Sequence, residues 1–225
     1  MARQLSIIMP TLNEAAGMTA ALTSLAPLRA RGTQVIVADG GSSDDTLAVA
    51  QACGVQVIQA PRGRAWQMNA GAQLATGDML LFLHADTCLP HDADKLVAEA
   101  LAGAASWGRF DVQITGRAPA LRVIAACMNL RSRVSGIATG DQAMFMTRAA
   151  FIAVGGFAEQ PLMEDIALSR HLLKVSRPAC LRTRVTTSGR RWESRGVWRT
   201  VLLMWRLRYA YWRGAPPEQL AELYR

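Results

Sequence analysis

Thr76-Gly77-Asp78-Met79-Leu80-Leu81-Phe82-Leu83-His84-Ala85-Asp86-Thr87 holds an unbroken apolar run between a turn and a polar cluster. A short run opened by Thr-Gly suits a strand buried on both faces. It ends in His84, Asp86 and Thr87. In an open parallel sheet, ligands sit just beyond the carboxyl ends of the strands. A carboxylate there can hold a hard cation and, through it, a phosphate. Asp86 can equally cap the helix that follows.

The chain before this stretch alternates in the same way. Leu5 to Met9 reads as a first strand, and Ala15 to Leu28 as a helix ending near Pro27. Gln34 to Ala38 is a second strand; Gly40-Gly41 allow a tight turn, and Ser43 or Asp44 can cap the helix after it. Val55 to Gln59 is a third strand, and Arg62-Gly63-Arg64 opens a helix that carries Asn69. Four strand–helix alternations predict a parallel sheet with helices on both faces. Beyond Asp92 the pattern changes: helix 92–101, a strand at 106–114 expected to be antiparallel, helix 118–134, strand 142–146, helix 148–154, helix 163–174 and strand 178–185. The tail from Arg190 is basic and aromatic.

With 225 residues, 51% of them hydrophobic and 19% charged, the chain can bury a sizeable core. The net charge of +8 suits a membrane surface or phosphorylated ligands. Nucleic acid is not expected, since no zinc finger, basic zipper or RNA-recognition signature occurs. Cys53, Cys88, Cys127 and Cys180 are scattered without a C-x-x-C pair, which fits a reducing cytoplasm and argues against disulfides and structural zinc. His84, Asp86 and Cys88 alternate, but a small buried thiol is preferred over a soft-metal site. No run approaches a membrane span, and no signal peptide is read at the N-terminus.

Glu14, Asp39, Asp86 and, later, Asp165 fall at or just after strands. Each alone has a structural explanation as a cap or a solvated loop residue. Three on consecutive parallel-strand ends converge on one edge. Arg62 and Arg64 lie near them in sequence and can pair with phosphates or serve as solvated loop residues.

These residues, taken together, resemble a family 2 glycosyltransferase of the GT-A fold. The resemblance is carried by Met9-Pro10-Thr11-Leu12-Asn13-Glu14, by 37–46 (Val-Ala-Asp-Gly-Gly-Ser-Ser-Asp-Asp-Thr), by Asn69-Ala70-Gly71 with Gly77-Asp78, by Phe82 to Asp86 and by Glu164-Asp165. The wording Leu83-His84-Ala85-Asp86-Thr87 is similar to a small bacterial subgroup associated with radical-SAM/selenodomain proteins. The resemblance implies an α/β, mostly parallel Rossmann-like sheet. It implies a glycosyltransferase domain over about 1–189, with a nucleotide half to about 88 and an acceptor half after it, and a helical tail over 190–225.

The resemblance also implies roles. Pro10, Thr11 and Glu14 match the loop lining the nucleoside pocket, and Asp39 the carboxylate that reads base or ribose. Asn69 matches the helix closing the sugar-diphosphate pocket; Arg62 is put on the donor side for its ability to pair with phosphates, not by a matched position. Asp86 matches the last acid of the D-x-D motif, which holds a divalent cation, Mg2+ or Mn2+. His84 replaces the first acid; imidazole is a poorer ligand for magnesium than for manganese. Asp165 matches the catalytic base and Glu164 its neighbour, although both also suit a helix N-terminus electrostatically. Gly140, Asp141 and Gln142 match the loop framing the acceptor. Arg191 and Trp192 resemble the end of a Q-x-x-R-W motif, but Ser188 stands in place of Gln, which argues against a processive synthase. The reaction implied is inverting transfer from a UDP- or GDP-sugar to an acceptor hydroxyl. A sugar-phosphate nucleotidyltransferase is the rival, but Pro10 to Glu14 lacks its glycine-rich loop. A nucleotide-sugar binder without catalysis is the other.

The tail reads as one amphipathic helix. On a wheel of about 100° per residue, Arg195, Arg199, Arg206 and Arg213 lie within roughly 40° of one another. Trp198, Trp205 and Trp212 form a stripe beside them, and Val197, Val201, Met204, Leu207 and Tyr211 a face beyond; Arg208 falls on the wrong side. Two expectations follow: peripheral contact with the inner face of a membrane, suited to a lipid-linked acceptor, or packing on the domain with the tryptophans in its core.

Overall fold

β1 (Leu5–Thr11) lies in the middle of the parallel half of the sheet, as its fully buried sequence requires. The computed structural model describes residues 4–224, and the side chain of Arg191 lies outside the described residues. The chain then runs α1 (Ala15–Ser24), α2 (Ala26–Ala30), β2 (Gln34–Asp39), α3 (Thr46–Ala52), β3 (Gln56–Gln59), α4 (Arg64–Leu74) and β4 (Met79–Phe82). The second half adds β5 (Thr87–Cys88), α5 (Ala93–Ala102), β6 (Trp107–Thr115), α6 (Ala120–Ser135), β7 (Phe145–Thr147), α7 (Arg148–Ala153), α8 (Glu164–Leu172) and β8 (Ala179–Ser188). The tail is α9 (Arg190–Arg195), α10 (Val197–Trp212) and α11 (Pro217–Tyr224).

One eight-stranded sheet results, in the order β3-β2-β1-β4-β7-β6-β8-β5. β1 to β4 pair in parallel, β7 runs antiparallel to both β4 and β6, β8 is parallel to β6, and β5 is antiparallel to β8. The strand expected to be antiparallel is thus antiparallel on one edge only. The period-2 alternation of strands feeds two cores. Ile7, Met9, Leu81 and Leu83 face α1, α2, α5 and α6, while Ile8, Leu80 and Phe82 face α4, α7 and α8. The run that opened the reading is therefore buried on both faces. Behind it, fully buried Arg109 on β6 pairs with Asp111, which also takes Arg133 of α6 at 2.7 Å, and this ties α6 to the sheet.

Several boundaries differ from expectation, each for a local reason. Pro27 does not end a helix; it occupies the first turn of α2, where a missing N–H costs nothing. Residues expected as a strand from Gln142 form the short 3-10 turn Gly140–Gln142, followed by Ala143 at φ 45°, before β7 begins. The single tail helix is three helices, broken at Gly196 (φ 83°) and Gly214 (φ 91°). Pro10 is tolerated in a central strand because the β1–β4 ladder ends at Ile8, which accepts from Leu83 N at 2.9 Å; strand alternation turns the Pro10 nitrogen to that same vacated side.

The tail packs on the domain, as the second expectation held, but turned the other way. Leu207 and Leu220 are buried against Leu162, Met163 and Ile166, with Leu203, Met204, Ala210 and Tyr211 beside them. Trp198, Trp205 and Trp212 are exposed rather than in a core.

Candidate active site

The carboxyl ends of β1 and β2 meet in register, Thr11 opposite Asp39, and their loops are sewn together. Asn13, at φ 55°, donates its amide to Ser42 Oγ at 2.9 Å and accepts from Ser43 N at 2.9 Å through Oδ1. Glu14 N donates to Thr46 Oγ1, and Ala15 N to Asp44 Oδ2. The Thr46 hydroxyl and amides hold the Asp44 carboxyl below its ordinary range. Gln67 of α4 is buried and donates to both Thr11 O and Ala38 O at 2.7 Å, locking the two strand ends from beneath. Nothing in the spacing flagged Gln67.

Asp39 is buried at this junction. Oδ2 accepts from Gly41 N and Ser42 N at 2.9 and 2.8 Å, and Oδ1 from Ser42 Oγ at 2.5 Å. It shapes the loop expected to hold a nucleoside. Pro10 and Thr11 are buried strand residues below it, and Glu14 lies at the rim. Burial raises the Glu14 carboxyl, and Asp86 and Asp44 add to this against Arg190, whose guanidinium lies 3.7 Å away. Arg190 thus brings a cation from the start of α9 to the strand-end acids, a contact the linear sequence did not reveal.

Asn69 makes a reciprocal pair with the backbone of Phe157, donating to its carbonyl at 2.9 Å and accepting its amide at 3.0 Å. It fastens the Gly155-Gly156-Phe157 loop to α4. Arg62 is exposed in the loop before that helix.

β4 delivers His84 and Asp86 to the same edge. The His84 ring lies across the Gly140–Asp141 backbone: Nδ1 is 3.2 Å from Asp141 Oδ1, and a Cβ on Gly140 would sit 2.4 Å from Nε2. Only glycine allows that approach. Asp86 is exposed, with Thr87 Oγ1 3.4 Å from Oδ1. Among the described residues no three His, Cys, Asp or Glu side chains converge as a metal group. An exposed carboxylate two residues past His84 fits a hard cation that arrives with a diphosphate supplying the remaining oxygens.

Asp165 sits at the first turn of α8, facing the His84–Gly140 contact. Oδ2 accepts from Gly140 N at 3.0 Å and Oδ1 from Ile166 N at 2.7 Å. Gln142, also expected here, turns inward: it is buried and donates to Ser132 Oγ at 3.1 Å, so it holds the turn rather than lining it. Met163, at φ 66°, precedes the acid pair. Asn13, Ala143 and Met163 are the only non-glycine residues at positive φ among those described, and all three lie at these loops. Such backbone strain concentrates at functional sites.

Burial pushes the Asp165 carboxyl up, against the two amides, and Asp141 adds to the rise. Glu164 is buried; burial and then Asp165 push it up to about 7, against Arg64. The Arg64 guanidinium is exposed by surface area yet loses solvation to the atoms packed around it, which pulls it down; Glu164, Tyr224, Asp141 and Asp165 together outweigh this and raise it. Arg131 of α6 is lowered by burial, with Asp165 and Asp141 opposing, and its Nε and Nη2 are buried without a hydrogen-bond partner. Arg64 and Arg131 are the cations whose charge acts on the acid pair. Trp192 packs half-buried against the core on the α6 side.

The raised Glu164 has a stability consequence. Between pH 4.5 and about 7 the folded protein keeps a proton that the unfolded chain has lost. Stability therefore falls as pH rises through that window. Glu164→Gln removes the penalty, so its melting midpoint is expected to match wild type near pH 4 and exceed it at pH 8, by at most ~3 kcal/mol in stability. Equal midpoints at both pH values would contradict the burial of that charge.

Comparison with known proteins places this arrangement. Residues 6–153 match the family model described as Glycosyl transferase family 2. A PGL/p-HBAD biosynthesis glycosyltransferase of Mycobacterium bovis is 42% identical over 98 residues, covering 40% of this chain and 38% of its own. An uncharacterized glycosyltransferase of the same species is 35% identical over 101 residues, 44% of each chain. The chain thus spans less than half the length of these curated relatives. Among solved structures, S. aureus TarS in complex with UDP-GlcNAc superposes with a TM-score of 0.67 at 20% identity, over 82% of this chain and 58% of that one. The mannosyltransferase PcManGT from Pyrobaculum calidifontis, in complex with GDP-Man and Mn2+, gives 0.67 at 18% identity, over 93% and 61%. Fold likeness covers most of the chain, and the family match covers the strand ends that build the site: the chain belongs to glycosyl transferase family 2.

Proposed function

We propose that the protein transfers a sugar from a nucleotide-sugar to an acceptor hydroxyl with inversion at the anomeric carbon. One observation carries the reading. Asp165, raised by burial and fixed by two amides, stands beside the His84–Gly140 contact at the end of β4, where the donor-side strands finish. The donor lies across the ends of β1, β2 and β4, with the Asp39 loop under its nucleoside. UDP- and GDP-sugars are the donor classes favoured, since the solved neighbours TarS and PcManGT were captured with UDP-GlcNAc and GDP-Man. Mg2+ or Mn2+, held by Asp86 with His84 beside it, would neutralise charge developing on the leaving diphosphate.

The chain's own residues do the rest. Asp165 accepts the proton of the acceptor hydroxyl as that oxygen bonds to the anomeric carbon and the bond to the diphosphate breaks. Burial makes it a stronger base than an ordinary aspartate. Arg64 and Arg190 flank the acids on the donor side and counter the diphosphate's charge. The Nε and Nη2 nitrogens of Arg131, without a hydrogen-bond partner among the described residues, favour an acceptor bearing an oxygen beside the attacking hydroxyl. Residues up to about 88 form the donor half, those to 189 the acceptor half, and 190–225 a tail. We place the reaction in the cytoplasm, at the inner face of the membrane; four free cysteines fit a reducing compartment. Kinship with the radical-SAM/selenodomain-associated subgroup rests on the Leu83–Thr87 wording.

The test is a panel of UDP- and GDP-sugars, each with Mg2+ or Mn2+, read as released nucleoside diphosphate. Release from at least one pair is expected. Binding of every donor class tested without release would instead fit a non-catalytic binder.

A further inference from the structure

Among the described residues, one face of α10 remains without a partner. Trp198, Leu202, Trp205, Tyr209 and Trp212 recur at alternating steps of four and three, and each is 59–72% exposed. At about 100° per residue they fill an arc of roughly 80°, opposite Leu203, Leu207 and Ala210, which face the domain. Arg199, Arg206 and Arg213 border the arc on one side and Arg208 on the other. Arg195 does not belong to this border; it lies in α9 and donates to Tyr224 O at 2.9 Å. Three tryptophans and a tyrosine in a row on solvent are not explained by packing, since the helix already buries its other face.

We propose that α10 docks the protein on an anionic lipid surface through this aromatic stripe. Indole and phenol rings settle at the headgroup level, where one edge is wet and the body apolar. Arginines on both borders reach the phosphates while their stems cover acyl chains. A second copy of the chain is the other occupant such spacing could take. α10 holds no acidic residue, however, so pairing two stripes would set arginine rows against each other without a counter-charge. At 16 residues the helix lies on the surface; no described helix is long and apolar enough to cross. Its inner face grips Leu162, Met163 and Ile166, the segment that carries Glu164 and Asp165. Docking therefore fixes the acid pair at a set height above the lipid. That such a height serves a lipid-linked acceptor rests on the proposed transfer; the docking does not.

The full chain is sedimented with vesicles of phosphatidylcholine and phosphatidylglycerol at low salt. Wild type is expected in the pellet, and weakly so with phosphatidylcholine alone. Trp198→Ser/Trp205→Ser/Trp212→Ser should stay in the supernatant, and Arg199→Gln/Arg206→Gln/Arg213→Gln should lose about a hundredfold in partition. Both variants alter exposed positions, so their melting midpoints and donor-driven nucleotide release in vesicle-free buffer should match wild type. Failure of the transfer reading would abolish that release and leave sedimentation intact. Wild type remaining in the supernatant, or the tryptophan variant pelleting as wild type, overturns the proposal. So does ultracentrifugation showing a lipid-free dimer that the tryptophan variant converts to monomer.

Discussion

Asp165→Asn is expected to lower kcat by about three orders of magnitude while nucleotide-sugar affinity changes less than about twofold. The amide can still accept from Gly140 N or Ile166 N, but it cannot accept a proton from the acceptor at pH 7. Since the carboxyl is raised by burial, wild-type kcat should also fall on the acid side with a midpoint above the ordinary aspartate range, and the variant should lack that limb. Turnover within fivefold of wild type would remove Asp165 from the chemistry.

Asp86→Asn is expected to abolish the cation dependence of nucleoside diphosphate binding. The side chain is exposed at the end of β4 and has a single long contact to Thr87, so the fold does not depend on its charge. Binding read by calorimetry with UDP or GDP should weaken by more than about tenfold in the presence of Mn2+, and match wild type without it. An unchanged Mn2+ effect in the variant would mean that the cation is held elsewhere.

The sheet was legible because its apolar runs match the strand period on both faces: Leu5 to Met9, Gln34 to Ala38 and Met79 to Leu83 all fall where strands lie. Motif residues at strand ends were legible for the same reason, since β1, β2 and β4 finish at one edge. Partnerships across long separations were not. Asn69 pairs with Phe157, His84 with Gly140 and Asp141, and Arg190 with Glu14, and no spacing rule encodes contacts made by folding two halves together. The tail misled in a particular way. A wheel shows that α10 has an aromatic stripe and an apolar face, but not which of the two the domain covers; the buried partners Leu162, Met163 and Ile166 decide that, and they lie in another element. The break at Gly196, with its positive φ, also separates Arg195 from the arginines it appeared to join. A histidine in place of the first D-x-D acid looked like a ligand change alone. Its contact with Asp141 shows that it meets the Gly140–Gln142 turn.

The stereochemistry of donor cleavage tests the central claim most directly. Wild-type protein is incubated with α-linked UDP- and GDP-sugars and Mn2+, water serving as acceptor, and the anomeric protons are followed by NMR as release begins. A single displacement with Asp165 as base predicts that the β-anomer of the free sugar appears first and that Asp165→Asn suppresses it. First appearance of the α-anomer would contradict the account, because it requires retention and a different arrangement of the site.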